Sequence, residues 1–113
     1  IAAGSITTAI ESAQKSSVNF PLELEVDNVA QIKEALKIGV DGFLLDNMDP
    51  ETVSLAVSII RASEKGNDIF IEVSGGINFN NIKPYLCTGI NAISIGALTH
   101  RAVSKDIRLE CIL

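Results

Sequence analysis

The chain has 113 residues, of which 47% are hydrophobic and 20% charged, and its formal net charge is −5. These values are typical of one globular domain and exclude a disordered chain. The acidic residues are dispersed, which argues against nucleic acid and anionic membranes as partners and leaves a small anion, held by backbone amides, as a candidate ligand.

Helix-like and strand-like segments then alternate along the chain. Ser5, at the start of the first apolar pattern of period 3.6, suits a helix cap; Gly39 suits a helix C-terminus, and Pro50 a first helical turn. The predicted helices cover about 5–16, 29–38, 47–65 and 80–87. The predicted strands cover 22–26, 42–46, 69–73 and 92–96. The tail from residue 99 to 113 is predicted to form a short helix and an extended end.

This alternation predicts right-handed β-α-β crossovers and an α/β fold with four parallel strands. Two glycine turns follow the last two strands, where a (β/α)8 barrel commonly binds phosphate. We therefore predict that residues 1–113 form the C-terminal half of a (β/α) barrel. A doubly wound sheet is the alternative, because periodicity does not distinguish a closed sheet from an open one.

The first residues, the cysteines and the single histidine bear on three questions: whether the chain is a fragment, whether it forms disulfides and whether it binds zinc. The chain starts at Ile1 without a Met and enters a helix pattern at once, which favours a fragment of a larger protein. Cys87 and Cys111 lie far apart and form no Cys-x-x-Cys motif, so we interpret them as free thiols. One histidine, His100, argues against zinc. No apolar run is long enough to span a bilayer and no leader pattern is present, so we predict a cytoplasmic protein.

Acidic residues gather at the predicted strand ends. In the stretch LELEVD, Glu23, Glu25 and Asp27 share one face because side chains alternate along a strand. This face belongs either to an edge strand with a solvated surface or to a polar cavity that holds hydroxyls or a divalent cation. Asp46 ends the apolar stretch GFLL at the edge where parallel barrels form active sites. It could instead be a helix cap or a turn residue before Pro50, and Asn47 or Asp49 could serve as the cap in its place. Glu72 has the parity of the same acidic face.

The glycine turns suit an anion. In Ser74-Gly75-Gly76 and in Gly96-Ala97 the backbone can take positive φ and approach a phosphate closely. The alternative is that both glycine pairs are simple turns without a ligand. Two such turns after successive strands disfavour this alternative. His100 lies one turn beyond Gly96 and could donate to the same phosphate, or it is an ordinary surface residue.

Five motifs occur in order: LELEVDN, LLDNM, EVSGGINFNNI, TGINAISIGALTH and DIRL. Together they resemble the quinolinate phosphoribosyltransferase family, also called carboxylating nicotinate-nucleotide pyrophosphorylase, over nearly all 113 residues. The resemblance implies the C-terminal half of the barrel domain, with the family's N-terminal domain and first barrel strands absent.

The resemblance also implies a reaction in NAD biosynthesis. Family members convert quinolinate and phosphoribosyl pyrophosphate, with Mg²⁺, to nicotinate mononucleotide, carbon dioxide and pyrophosphate. By motif, Glu25 and Asp46 would be catalytic and would contact the ribose hydroxyls or the metal. The residues that would surround the phosphate are Ser74, Gly75, Gly76, Gly96 and His100.

The family binds quinolinate with cations from the absent N-terminal portion and from a neighbouring subunit. The chain alone is therefore expected to be inactive and its parent to be a homodimer or a higher homo-oligomer. Arg101 and Lys105 depart from the family pattern outside these contacts. A molybdenum-transport-associated paralogue of the same fold and a non-catalytic phosphate-binding half-barrel are the alternatives.

Overall fold

A computed structural model describes residues 5–16, 20–86, 89–96 and 109–112. The elements, in chain order, are α1 (Ile6–Gln14), β1 (Glu23–Val26), α2 (Val29–Ile38), β2 (Gly42–Asp46), α3 (Pro50–Arg61), β3 (Phe70–Ser74), a 3₁₀ turn (Lys83–Tyr85), β4 (Ala92–Ile95) and β5 (Leu109–Ile112). The predicted strands and the first three predicted helices are confirmed, with ends displaced by a few residues. No helix in these described ranges is long and apolar enough to cross a membrane.

The strands form one sheet in the order β1-β2-β3-β4-β5. Strands β1 to β4 pair in parallel, and β5 pairs antiparallel with β4. The helices pack against each other in the same succession, α1 on α2 and α2 on α3. A sheet that never reverses its strand order, flanked by successive helices, is typical of a barrel segment and not of a doubly wound sheet. The predicted four parallel strands are confirmed.

The extended end predicted for the tail is present as β5. Its antiparallel direction has no counterpart in the sequence prediction. The short helix predicted before it, Arg101 and Lys105 all lie outside the described residues.

The two faces of the sheet differ in polarity. One face packs into the apolar core, where Val26, Leu45, Val73 and Ile93 stand side by side on successive strands and are buried. The opposite face carries the next ladder position, with Glu25, Leu44, Glu72 and Ala92 in register. Since side chains alternate along each strand, the acidic face predicted from LELEVD lies on the side away from the core.

Local sequence signals explain where α2 begins and ends and where α3 begins. The Asn28 side chain accepts a hydrogen bond of 3.0 Å from the backbone N–H of Gln31, and α2 stops at Gly39, whose φ is +105°. The helix α3 begins with Pro50 after Asp49, whose carboxylate accepts a 2.8 Å bond from the N–H of Thr52. Hydrogen bonds from the backbone and side chain of Thr52 lower the pKa of Asp49. The alternative that Asp46 caps this helix is therefore wrong.

The helix predicted over about 80–87 is also wrong within the described residues, where the chain forms only the 3₁₀ turn Lys83–Tyr85. The side-chain oxygen of Asn78 accepts bonds from the N–H groups of Asn80 and Asn81, so it offers these donors a turn in place of a helix. Pro84 then lacks a donor for a longer helix.

Candidate active site

The carboxyl ends of β1 and β2 border a cleft of about 480 Å³. Its lining residues are Glu25, Val26, Asp27, Gln31, Asp46 and Asn47. The structure thus brings together the two carboxylates that the sequence singles out, Glu25 and Asp46. A second cleft of about 460 Å³ lies at the other end of the strands, where their amino ends are, beside Phe20, Asp41 and Lys65. We place the candidate site in the first cleft because parallel barrels do their chemistry at the carboxyl edge of the strands.

Both sequence interpretations of LELEVD have a counterpart in the fold. In the described sheet β1 pairs only with β2 and is an edge strand, so Glu23 and Glu25 are exposed. Their face is also the one turned away from the apolar core. In a closed barrel this face of the sheet points into the interior. Edge position and cavity-facing carboxylates therefore coexist in this half-barrel.

Asp46 is held in one orientation by its neighbours. Its Oδ1 accepts a 3.0 Å hydrogen bond from the hydroxyl of Ser74, which ends the adjacent strand β3. Its Oδ2 accepts a 3.1 Å bond from the side-chain amide of Asn47. Asn47 was considered from the sequence only as a possible helix cap, a role that Asp49 takes. Its signal as a site residue was an amide directly after a strand, a residue type that tolerates left-handed backbone.

Asp27 and Gln31 line the cleft where β1 leads into α2. The side-chain oxygen of Gln31 accepts a 2.8 Å bond from the backbone N–H of Asp27. The sequence placed Asp27 on the acidic face but gave no reason to single out Gln31, since a helical glutamine is ordinarily solvated.

The Ser74-Gly75-Gly76 turn has a different need for each glycine. Gly75 has φ +98°, and a Cβ there would lie 2.6 Å from both the backbone N and the side-chain oxygen of Asn47. Gly76 has φ +65°, and no atom of the described residues lies within 4 Å of where a Cβ would stand. The carbonyl of Gly76 accepts a 2.9 Å bond from the Asn81 side chain. Gly75 therefore packs against the end of β2, and Gly76 leaves room above the turn for a ligand.

Substitution of the two glycines is expected to separate these roles. Gly75→Ala forces a methyl group against Asn47 and should destabilise the domain by about 2–3 kcal/mol, since clash and left-handed strain add. Gly76→Ala meets only the backbone strain and should cost about 1 kcal/mol. Urea unfolding of both variants provides the measurement. Equal losses would contradict the assigned packing role of Gly75.

The remaining predicted residues are placed only in part. Gly96 follows β4 and is exposed, whereas His100 lies outside the described residues. Glu72 is level with Glu25 across two strands, is only 4% exposed, and accepts a hydrogen bond from the hydroxyl of Ser94. The phosphate-binding roles of Ser74, Gly75, Gly76, Gly96 and His100 stay predictions.

The carboxylates of the cleft suit a hard cation that is shared with a substrate. In the described ranges no three His, Cys, Asp or Glu side chains are grouped to hold a metal by themselves. Mg²⁺ usually takes one or two carboxylates and completes its shell with water and substrate phosphate. Glu25 and Asp46 supply that number of carboxylates, so the residues fit Mg²⁺ delivered with a phosphorylated substrate.

Comparison with known proteins gives consistent matches. The chain is 39% identical over 116 residues to a probable carboxylating nicotinate-nucleotide pyrophosphorylase of Methanocaldococcus jannaschii, covering 99% of this chain and 41% of that protein. It is 34% identical to the carboxylating nicotinate-nucleotide pyrophosphorylase of Rattus norvegicus, covering 97% of this chain and 36% of the relative. The chain thus spans about two fifths of the length of these relatives.

Solved structures agree with the sequence matches. The crystal structure of nicotinate-nucleotide pyrophosphorylase from Ehrlichia chaffeensis superposes with a TM-score of 0.76 at 38% identity, over 87% of this chain and 34% of that one. The enzyme of the same name from Francisella tularensis gives a TM-score of 0.73 at 35% identity, over 89% and 35% of the two chains. The family model for the C-terminal domain of quinolinate phosphoribosyl transferase matches residues 1–110, and the chain belongs to that family.

Proposed function

We propose that this chain is the phosphoribosyl-binding part of an enzyme that transfers a phosphoribosyl group from phosphoribosyl pyrophosphate to quinolinate. The products would be nicotinate mononucleotide, carbon dioxide and pyrophosphate. The observation that carries the proposal is the meeting of Glu25 and Asp46 in one cleft, with Asp46 bonded to the Ser74 end of the glycine turn.

The two carboxylates suit the sugar. Departure of pyrophosphate leaves positive charge at the anomeric carbon, and fixed negative groups nearby stabilise that charge more than the neutral substrate. Carboxylate oxygens also accept hydrogen bonds from ribose hydroxyls. Asp46 is pre-oriented by Ser74 and Asn47, so it does not have to reorganise as the charge develops.

The glycine turn suits the 5-phosphate. Gly76 follows Ser74 by two residues, and Ser74 is hydrogen-bonded to Asp46, so a phosphate bound at the turn would hold the ribose close to the acidic cleft. Gly96 and His100 would complete the phosphate site from the next strand, as the family resemblance implies.

Mg²⁺ would be held by Glu25 and Asp46 together with the substrate. When bound, the ion neutralises part of the charge on the pyrophosphate leaving group. Besides holding the ion, the carboxylates would orient the ribose and balance the developing positive charge.

The acceptor must be bound largely by other residues. Among the described residues that line the cleft there is no Lys, Arg or His, whereas quinolinate is a dianion that requires fixed cations. The proposal therefore assigns quinolinate binding to additional chain of the length seen in the relatives and to a second subunit of a homodimer in the cytoplasm.

The test is product formation by a chain of the relatives' full length that carries this domain. Mixed with quinolinate, phosphoribosyl pyrophosphate and Mg²⁺, it is expected to release nicotinate mononucleotide and pyrophosphate in equal amounts. The 113-residue chain alone is expected to release neither, because it lacks the cations for quinolinate. Product from the 113-residue chain, or none from the long chain, would refute the proposal.

A further inference from the structure

Asn47 makes hydrogen bonds to neighbouring residues through both its main chain and its side chain. It takes a left-handed conformation, with φ +55°, directly after β2. Its backbone N–H donates to the carbonyl of Ser74 at 3.1 Å, and its side-chain amide donates to Asp46 at 3.1 Å. The residue thus links the end of β2 to the beginning of the glycine turn.

The hydroxyl of Ser74 is hydrogen-bonded to the same carboxylate. It donates to Oδ1 of Asp46 at 3.0 Å, on the oxygen that Asn47 does not contact. A serine hydroxyl has a single proton to donate. While that proton is shared with Asp46, the hydroxyl cannot also donate it to a phosphate in the turn.

Gly75 packs closely against the same asparagine. A Cβ added at Gly75 would lie 2.6 Å from the backbone N and from the side-chain oxygen of Asn47, so a side chain does not fit there. The glycine turn is therefore joined to Asp46 through Asn47, by this packing and by the Asn47 hydrogen bond to the carboxylate.

We propose that Asn47 and Ser74 are positioning residues that fix the Asp46 carboxylate, one on each oxygen, and that Ser74 acts on the reaction through Asp46 and not through the phosphate. This inference rests on the proposed function, since it assigns how Asp46 is aimed at the sugar. Without these donors, the Asp46 side chain gains access to other rotations of its terminal torsion, which is soft.

The experiment uses a chain of the relatives' full length that carries this domain. Asn47→Gly removes the amide but keeps a residue that favours left-handed backbone. It is expected to lower kcat about tenfold, as for loss of a hydrogen bond to a charged group, and to leave the KM for phosphoribosyl pyrophosphate within about twofold. Asn67→Gly is the matched control and should leave kcat unchanged, because Asn67 lies in an exposed turn before the amino end of β3, away from the cleft.

Ser74 distinguishes positioning from phosphate binding. Ser74→Ala is expected to lower kcat about tenfold with little change in KM, and Ser74→Thr, which retains the hydroxyl, should restore most of the rate. A higher KM for phosphoribosyl pyrophosphate at unchanged kcat would overturn the inference.

A double-mutant cycle separates this inference from the proposed function. If Asn47 acts through Asp46, adding Asn47→Gly to Asp46→Asn should produce no further loss. Independent losses in the double variant would overturn the positioning role. Normal turnover of Asp46→Asn itself would refute the assigned site, whereas impaired Asp46→Asn beside normal Asn47→Gly and Ser74→Ala would refute only the positioning role.

Discussion

Replacing Glu25 with Gln, or Asp46 with Asn, is expected to lower the turnover of the complete enzyme by roughly 10-fold to 1,000-fold. Both variants keep the size of the side chain and remove a negative charge from the cleft where the sugar is proposed to bind. Because positive charge develops only as pyrophosphate departs, the loss should fall on kcat more than on substrate binding. Steady-state kinetics with varied phosphoribosyl pyrophosphate provide the measurement.

The matched control is Glu23→Gln. Glu23 is exposed on the same face of β1, two residues before Glu25, and is not among the residues that line the cleft. It should keep normal turnover. The Glu23 and Glu25 variants should melt within a few degrees of the unmodified protein, because exposed carboxylates contribute little to stability. Asp46→Asn should do the same, because the half-buried asparagine keeps the side-chain size and an oxygen that accepts from Ser74. Normal turnover in either Glu25→Gln or Asp46→Asn would refute the assigned site, and normal turnover in both would make Glu72 the next candidate.

Arg61→Ala is expected to destabilise the domain by about 2–4 kcal/mol. Each of the five guanidinium N–H groups donates a hydrogen bond, and the acceptors are the carbonyls of Gly66, Ile69 and Gly89 and the side-chain oxygen of Asn91. Burial lowers the pKa of Arg61, which reflects the cost of removing the charge from water. Truncation removes the guanidinium donor from the carbonyls of Gly66, Ile69 and Gly89, whereas the Asn91 oxygen keeps its bond from the backbone N–H of Ile71. Urea unfolding followed by circular dichroism measures the loss.

Lys37→Ala is the control for this prediction. Lys37 and Arg61 both stand in the last turn of a helix, but Lys37 is exposed. Its removal should cost about 0.5 kcal/mol, the value of a cation near a helix C-terminus. Arg61→Lys should remain substantially destabilised, because one ammonium group carries three donors and lacks the planar fork. A loss no larger than that of Lys37→Ala would contradict the assigned role.

Local signals predicted much of this fold. Ser5 caps α1 and Gly39 ends α2 as predicted, and the alternation in LELEV and the apolar run GFLL identified β1 and β2. The helix predicted near Asn80 failed because competing side-chain bonds to the backbone depend on rotamers, which hydrophobic period does not report. The direction of β5 depends on tertiary pairing and has no local signal.

The site was predictable by residue type and parity but not by contact. Parity placed Glu25 on the polar face, and position placed Asp46 at the end of its strand. The bonds that fix Asp46 join residues 28 positions apart or require the left-handed backbone of Asn47, and neither follows from spacing. Gly75 and Gly76 look equivalent in the sequence, yet within the described part of the chain a neighbour close enough to forbid a side chain is found at Gly75 and not at Gly76.

The exposed edge of β1 has a consequence for how copies of this chain behave toward each other. An unpaired strand edge is a template for another strand, which is a common route to aggregation. If two copies joined through β1, Glu23 and Glu25 of each would face the like-charged residues of the other on one side of the new ladder. The carboxylates that make the cleft acidic would therefore also oppose self-association, and high salt or low pH, which weaken the repulsion, should be the conditions under which the isolated chain precipitates first.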